Sequence, residues 1–263
     1  MTRIGRRFAE LKERKEKALV PFFFAGDPDI DATYELVLEL EKAGADIVEL
    51  GIPYTDPLAD GPVNQAAAAR ALKNDITLTD ILDMVKRLRK VTQVPIAFLL
   101  YFNCVLQYGV ERFLQGCEKC GVDGLVIPDL PYEERLRYTE IFARHDVDMI
   151  PLVTPVSGER IEKIVAGSSG FIYCVTSTGT TGVRSDFDTD FDRFMSEVAA
   201  HTDTPRVLGF GISTTAQVSK LKGYGEGVIV GSAIVKRMEA QTDAIVMIED
   251  VAQFVRQLKA AQR

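Results

Sequence analysis

Eight short apolar runs, separated by amphipathic stretches, constrain this chain more than any other feature. The runs are ALVPFFFAG (18–26), DIVELGIP (46–53), VPIAFLLYFN (94–103), DGLVIPD (123–129), VDMIPLVTP (147–155), GFIYCVTS (170–177), RVLGFG (206–211) and EGVIVGS (226–232). Runs that stay apolar at every position suit strands covered on both faces, as in a parallel sheet. The intervening segments, such as TYELVLELEKAG (33–44) and ILDMVKRLRKV (81–91), place apolar residues at helical spacing. The order charged helix, glycine, strand recurs at KAGAD (42–46), KCGVD (119–123) and GYGEG (223–227), with glycine ending a helix. Eight such units in 263 residues predict an α/β fold, a single (β/α)8 barrel domain over 1–263. An open doubly wound sheet is the alternative, but eight parallel strands without a break favour closure.

Composition narrows the class. The chain carries 31 Lys plus Arg against 38 Asp plus Glu, a formal net charge of −7 without a basic block. That balance argues against nucleic acid or an anionic membrane as partner. The N-terminal segment spaces Ile4, Phe8 and Leu11 as a helix and interleaves Glu10, Glu13 and Glu16 with its basic residues. It reads as an extra amphipathic helix before the first strand, not as a secretory signal. The longest uncharged stretch, Val91 to Val110, is interrupted by Pro95, Asn103 and Gly109 and is no membrane span, so a cytoplasmic protein is expected. Four cysteines (Cys104, Cys117, Cys120, Cys174) are too scattered for a disulfide framework. Cys117 and Cys120 form a C-x-x-C, but without a second pair they read as helix interior rather than redox or zinc chemistry.

In such a barrel, chemistry belongs at the C-terminal ends of the strands and in the loops after them. The stretch from Val48 to Phe98 is nearly twice as long as that from Phe98 to Val126, and Tyr173 to Leu208 is also long. Extended loops are therefore expected after the second and sixth strands. Glu49 lies among apolar residues on the second strand, where a carboxyl group has a raised pKa and can both give and take a proton. Asp60 and Asp56 lie in the long second loop, Asp27 follows the first strand and Asp129 the fourth. Each of these could be an acid, a base or a structural cap. Gly209-Phe210-Gly211 ends the seventh run and Gly231-Ser232 the eighth, both opening onto helices, which is where these barrels hold phosphate. Thr214 and Gln217 are spaced as a capping box. The small, polar loop 176–182 is either a linker or a lid. The only histidines, His145 and His201, fall before strands on the opposite face, and no lysine ends a strand. A His-based metal site and a Schiff-base aldolase are thus disfavoured, leaving metal-free, carboxylate-driven chemistry on a phosphorylated substrate.

The segment ELGIPYTDPLADGP (49–62) closely resembles the signature of the tryptophan synthase alpha-chain family, as do AGDP (25–28), PDLP (128–131), GFGIS (209–213) and GSAIV (231–235). The likeness runs in order along essentially the whole chain. It implies a carbon–carbon lyase that cleaves indole-3-glycerol phosphate to indole and glyceraldehyde 3-phosphate, with Glu49 moving protons and Asp60 accepting the indole N–H. It further implies an indole pocket at Phe22, Leu99 and Tyr101, an active-site Tyr173, a lid Thr181, and phosphate held by Gly182, Gly211, Ser232 and their neighbours. This chain would need no cofactor. A beta chain carrying pyridoxal phosphate would receive indole through a tunnel in an αββα assembly, contacting Pro53, Asp56, Asn103 and Pro131. A stand-alone indole producer and a non-catalytic ligand-binding subunit are the alternatives, and intact Glu49 and Asp60 argue against the second. Tyr54 and Thr55 stand where Phe and Ser are usual, Val63 and Asn64 where Thr and Ile are usual, and Cys104 and Thr180 also depart from common choices. The lost hydroxyl at position 63 predicts ordinary chemistry with altered coupling to the partner. The measurement is the acceleration given by a matched beta chain; an acceleration equal to that of a typical alpha chain removes this expectation.

Overall fold

A computed structural model describes residues 1–175, 189–209 and 211–262. The strands are β1 (Ala18–Phe24), β2 (Val48–Gly51), β3 (Ile96–Leu99), β4 (Gly124–Val126), β5 (Asp148–Ile150), β6 (Leu152–Val153), β7 (Ile172–Val175), β8 (Arg206–Gly209) and β9 (Gly227–Val230). All pair in parallel, in the order β5-β4-β3-β2-β1-β9-β8-β7-β6. The fifth apolar run, read from sequence as one strand, is two. Pro151 has no N–H to give, so β5 pairs with β4, β6 pairs with β7, and the Pro151 carbonyl accepts from Tyr173 N at 2.9 Å. The two end strands of the ladder are consecutive in the chain, which closes it into the (β/α)8 barrel.

Helices wrap the outside as the spacing predicts. The helix Ile30–Ala43 ends at Gly44 in the left-handed region (φ 103°), and Leu78–Leu88 begins with a Thr77–Asp80 capping box. The extension after β2 contains an additional helix, Pro62–Leu72, opened by proline at its first turn. The extension after β7 falls in 176–188, outside the described residues. The N-terminal helix Arg3–Arg14 buries Ile4, Phe8 and Leu11. A Cβ on Gly124 would lie 2.8 Å from the Ile4 side chain, so glycine at the base of β4 is what admits this helix as a plug.

The recurring glycine-then-acid motif has a second role, beyond ending helices. Asp46, Asp123 and Glu226 each donate their own amide to a carbonyl of the neighbouring strand region (Leu19, Ile96 and Arg206). Each side-chain carboxylate then accepts from the amide of that same residue, at 2.8, 2.9 and 2.8 Å. A basic side chain completes every set: Lys259 on Asp46, Arg3 and Arg89 on Asp123, and Arg206 on Glu226. The acid thus stitches adjacent strands at the N-terminal face. Lys259 also donates to Lys17 O, and Gln262 to Ala18 O, fastening the C-terminal helix Ala244–Gln262 to the base of β1.

Removing one member of a buried pair strands the other. Lys259→Met is therefore expected to cost about 3 kcal/mol, read as a lowered midpoint in urea unfolding. Lys222→Met, on an unpaired surface lysine, serves as the control with no comparable loss.

Candidate active site

The register fixes which side chains meet inside the barrel. Phe22, Glu49 and Ala97 are Cα partners across β1, β2 and β3, so their side chains share one face of the sheet. Phe22 lines a pocket at the C-terminal mouth, which makes that face the interior. Glu49 is fully buried there, and neither carboxyl oxygen has a hydrogen-bond partner. Burial pushes its pKa from 4.5 to about 8, with the negative charge of Asp60 adding to the rise. At neutral pH the group is a carboxylic acid.

Asp60 sits at the entrance to the helix Pro62–Leu72 and is fixed from three directions. The Tyr101 hydroxyl donates to its Oδ2 at 2.9 Å, and Asn64 Nδ2 donates to its Oδ1 at 3.2 Å. Gln65 Nε2 holds its backbone carbonyl at 2.9 Å. The Tyr101 oxygen also accepts from Ala59 N, so one phenol clamps the loop and its carboxylate together. Burial raises the Asp60 pKa, and the Tyr101 and Asn64 hydrogen bonds oppose that rise. Tyr173 on β7 is buried beside both acids; desolvation raises its pKa well above the ordinary phenol value, and the charges of Glu49 and Asp60 reinforce this. A phenol there is a neutral donor.

The pocket is small, with a cavity volume of about 60 Å³. Phe22, Leu99, Tyr173 and Ile229 form its apolar walls, Asp60 and Asn64 its polar side, and Gly61, Gly211, Gly231 and Ser232 part of its rim. Sequence reasoning missed Ile229, Gly61 and any contact role for Asn64. The register sets Ile229 opposite Val20, two residues before Phe22 on the same face of β1, a placement an unbroken apolar run cannot announce. A Cβ on Gly231 would come within 2.9 Å of Phe22, and one on Gly209 within 2.4 Å of the Tyr173 ring. Gly231 therefore admits Phe22, and Gly209 serves the site by giving Tyr173 room. Gly231 caps the helix Ser232–Glu239 with no side chain bonded to the first turn. The predicted Thr214–Gln217 capping box is present, and Gln217 also takes the Ser213 amide at 2.8 Å. Thr181, Gly182 and Phe210 lie outside the described residues.

The other acids each have a hydrogen-bond partner. Asp27 holds Arg70 through two bonds of 3.0 and 2.7 Å, Asp129 accepts from Phe102 N at a helix start, and exposed Asp56 accepts from the Thr55 hydroxyl. Asn103, on the helix Phe102–Tyr108, and Pro131 are exposed, whereas Pro53 is buried. Asn103 donates to the Tyr54 hydroxyl at 3.1 Å, and Leu58 projects from the second loop, 90% exposed. Cys117 and Cys120 are free and buried in the helix Val110–Cys120, and burial pushes Cys120 up to about 11, so the pair is helix interior as expected. Among the described residues no group of three or more His, Cys, Asp or Glu could hold a metal, and no helix is long and apolar enough to cross a membrane.

An acid whose folded-state pKa exceeds its unfolded value binds its proton more tightly when folded. That contribution is intact below pH 4.5 and is lost as pH rises through about 8. Glu49→Gln removes it. The variant should gain stability over the wild type as pH rises across that window, by on the order of a few kcal/mol at the top. Urea midpoints measured across the window test this, and a gap independent of pH refutes the buried-acid assignment.

Comparison with known proteins agrees with this geometry. A family model described as tryptophan synthase alpha chain matches residues 8–263. The tryptophan synthase alpha chain of Caldanaerobacter subterraneus subsp. tengcongensis is 49% identical over 98% of this chain and 99% of its own. That of Alkaliphilus metalliredigens is 47% identical over 98% of this chain and 97% of its own. The crystal structure of tryptophan synthase subunit alpha from Legionella pneumophila superposes with a TM-score of 0.89 at 31% identity, covering 99% of this chain and 98% of that one. The chain belongs to the tryptophan synthase alpha-chain family.

Proposed function

We propose that this chain, working as one barrel domain over 1–263, is a carbon–carbon lyase that cleaves indole-3-glycerol phosphate to indole and glyceraldehyde 3-phosphate for tryptophan synthesis. The observation that carries the reading is Glu49: a buried carboxylic acid, both oxygens without a partner, beside Asp60 and Tyr173 at the pocket. Such an acid can deliver its proton to C3 of the indole ring. The positive charge that develops on the ring nitrogen is met by Asp60, which accepts the N–H. Glu49, now a carboxylate, takes the proton of the adjacent side-chain hydroxyl. That oxygen becomes a carbonyl, the carbon–carbon bond breaks, and its electron pair restores the aromatic ring. The proton given to C3 leaves with indole, and the hydroxyl proton regenerates the acid.

Phe22, Leu99 and Ile229 would sandwich the indole, and Tyr101 would hold Asp60 in place. Backbone amides near Gly211, Gly231 and Ser232, with Gly209, Phe210 and Gly182 in the adjoining loops, would hold the phosphate. Thr181 would act from the loop above. The protein would work in the cytoplasm, with a beta chain carrying pyridoxal phosphate and accepting indole in an αββα assembly. Asp56, Asn103, Pro131 and the loop around Pro53 would form the contact.

The test is release of glyceraldehyde 3-phosphate from indole-3-glycerol phosphate, with and without a cognate beta chain, for the wild type and Glu49→Gln. Slow release that the beta chain accelerates and the substitution abolishes is expected, with a loss of about 100-fold or more. Fast release without a beta chain would mark a stand-alone indole producer. Absence of release in both conditions overturns the lyase reading.

A further inference from the structure

The pocket carries a second polar side chain beside Asp60, that of Asn64. Asn64 occupies the first turn of the helix Pro62–Leu72, one turn after Asp60, and lines the pocket beside it. Its Nδ2 donates to Asp60 Oδ1, while its Oδ1 is buried and has no hydrogen-bond partner. An ionised carboxylate can only accept, so the amide orientation is fixed by chemistry: nitrogen to Asp60, oxygen away from it. A buried, unpartnered acceptor on a pocket wall is costly unless a ligand supplies the donor.

We propose that Asn64 is a positioning residue for Asp60: its amide nitrogen fixes the orientation of the Asp60 carboxylate, and its carbonyl oxygen stands beside that carboxylate as a second acceptor for a ligand N–H or O–H. This rests on the reading of Asp60 as the group that meets the ring nitrogen. Tyr101 holds one carboxylate oxygen and Asn64 the other, so the plane of the group is set by two donors from two different elements, the loop after β3 and the helix after β2. An aliphatic side chain at position 64 leaves only the phenol, about which the carboxylate can rotate. The described titratable groups facing Asp60 are Glu49 on β2, Tyr101 after β3 and Tyr173 on β7. Tyr101 already serves Oδ2, so its hydroxyl is not free to replace the donor lost at Oδ1.

The experiment is kcat/KM against pH for indole-3-glycerol phosphate cleavage in the alpha–beta complex, for wild type, Asn64→Leu, Asp60→Asn and the double variant. Asn64→Leu should lower kcat/KM about tenfold. The same change in the Asp60→Asn background should cost less than about twofold, since the group it positions has gone. The acid limb of the profile should move to higher pH in Asn64→Leu, because the lost donor favoured the ionised Asp60. A purely structural role for Asn64 would give equal losses in both backgrounds and an unmoved limb, and either result overturns the proposal. Should Asn64→Leu fail to fold, Asn64→Asp, of the same shape, carries the test: it replaces the donor by a repelling charge and should move the limb further in the same direction. Asp60→Asn with wild-type activity would instead overturn the role of Asp60 itself; a crippled Asp60→Asn beside an unaffected Asn64→Leu overturns only the role of Asn64.

Discussion

The constraint on which the rest of the site depends is the presence of a carboxyl group inside an apolar barrel. Glu49 has nothing to bond to, and the least costly state for an unpaired acid there is the protonated one. Everything close to it keeps that condition. Phe22 and Ala97 flank it in register, Tyr173 stays a neutral phenol, and the nearest anion, Asp60, raises the proton affinity further. A proton is thereby stored at a point where water is excluded, on a group that becomes a base as soon as it has acted as an acid.

The opposite end of the barrel treats its acids in the reverse way. Asp46 and Asp123 are also buried and Glu226 is partly so, yet each accepts from a backbone amide and a basic side chain. Asp148 is tied to Thr2 of the N-terminal helix. Buried carboxylates at the N-terminal face are joints, whereas Glu49 is left without a partner. The division fits a fold in which one rim holds the structure together and the other carries the chemistry. Asp27 accepts Arg70 through both oxygens, and Asp129 accepts from Phe102 N.

Much of this was legible in the sequence because apolar runs report burial directly. The eight runs gave the strands, and Ile4, Phe8 and Leu11 gave the N-terminal helix and its inward face. Glu49 stood out as a charge in an apolar context. What was not legible depended on contacts between distant segments. The break at Pro151 follows from which strand each half pairs with, and an unbroken apolar run cannot announce it. Asp27, Asp56 and Asp129 could not be separated from Asp60, since local sequence says nothing of Arg70, Phe102 or Tyr101 on the far side of each bond. Likewise the glycine of each helix-ending motif was visible, but the stitching by its following acid required the neighbouring strand. The closeness of Gly209 to the Tyr173 ring likewise depends on the pairing of β7 with β8.

The split at Pro151 bears on how molecules of this protein meet one another. An open sheet offers two edges whose unpaired amides and carbonyls invite strands from other chains. Here the ends of the ladder are β5, of three residues, and β6, of two, joined to each other through one proline. Neither is long enough to template an added strand, and proline removes the donor at the point between them. A parallel sheet assembled from strongly apolar runs would otherwise be among the more aggregation-prone ways to build a protein. The covalent seam gives the barrel wall no sticky side.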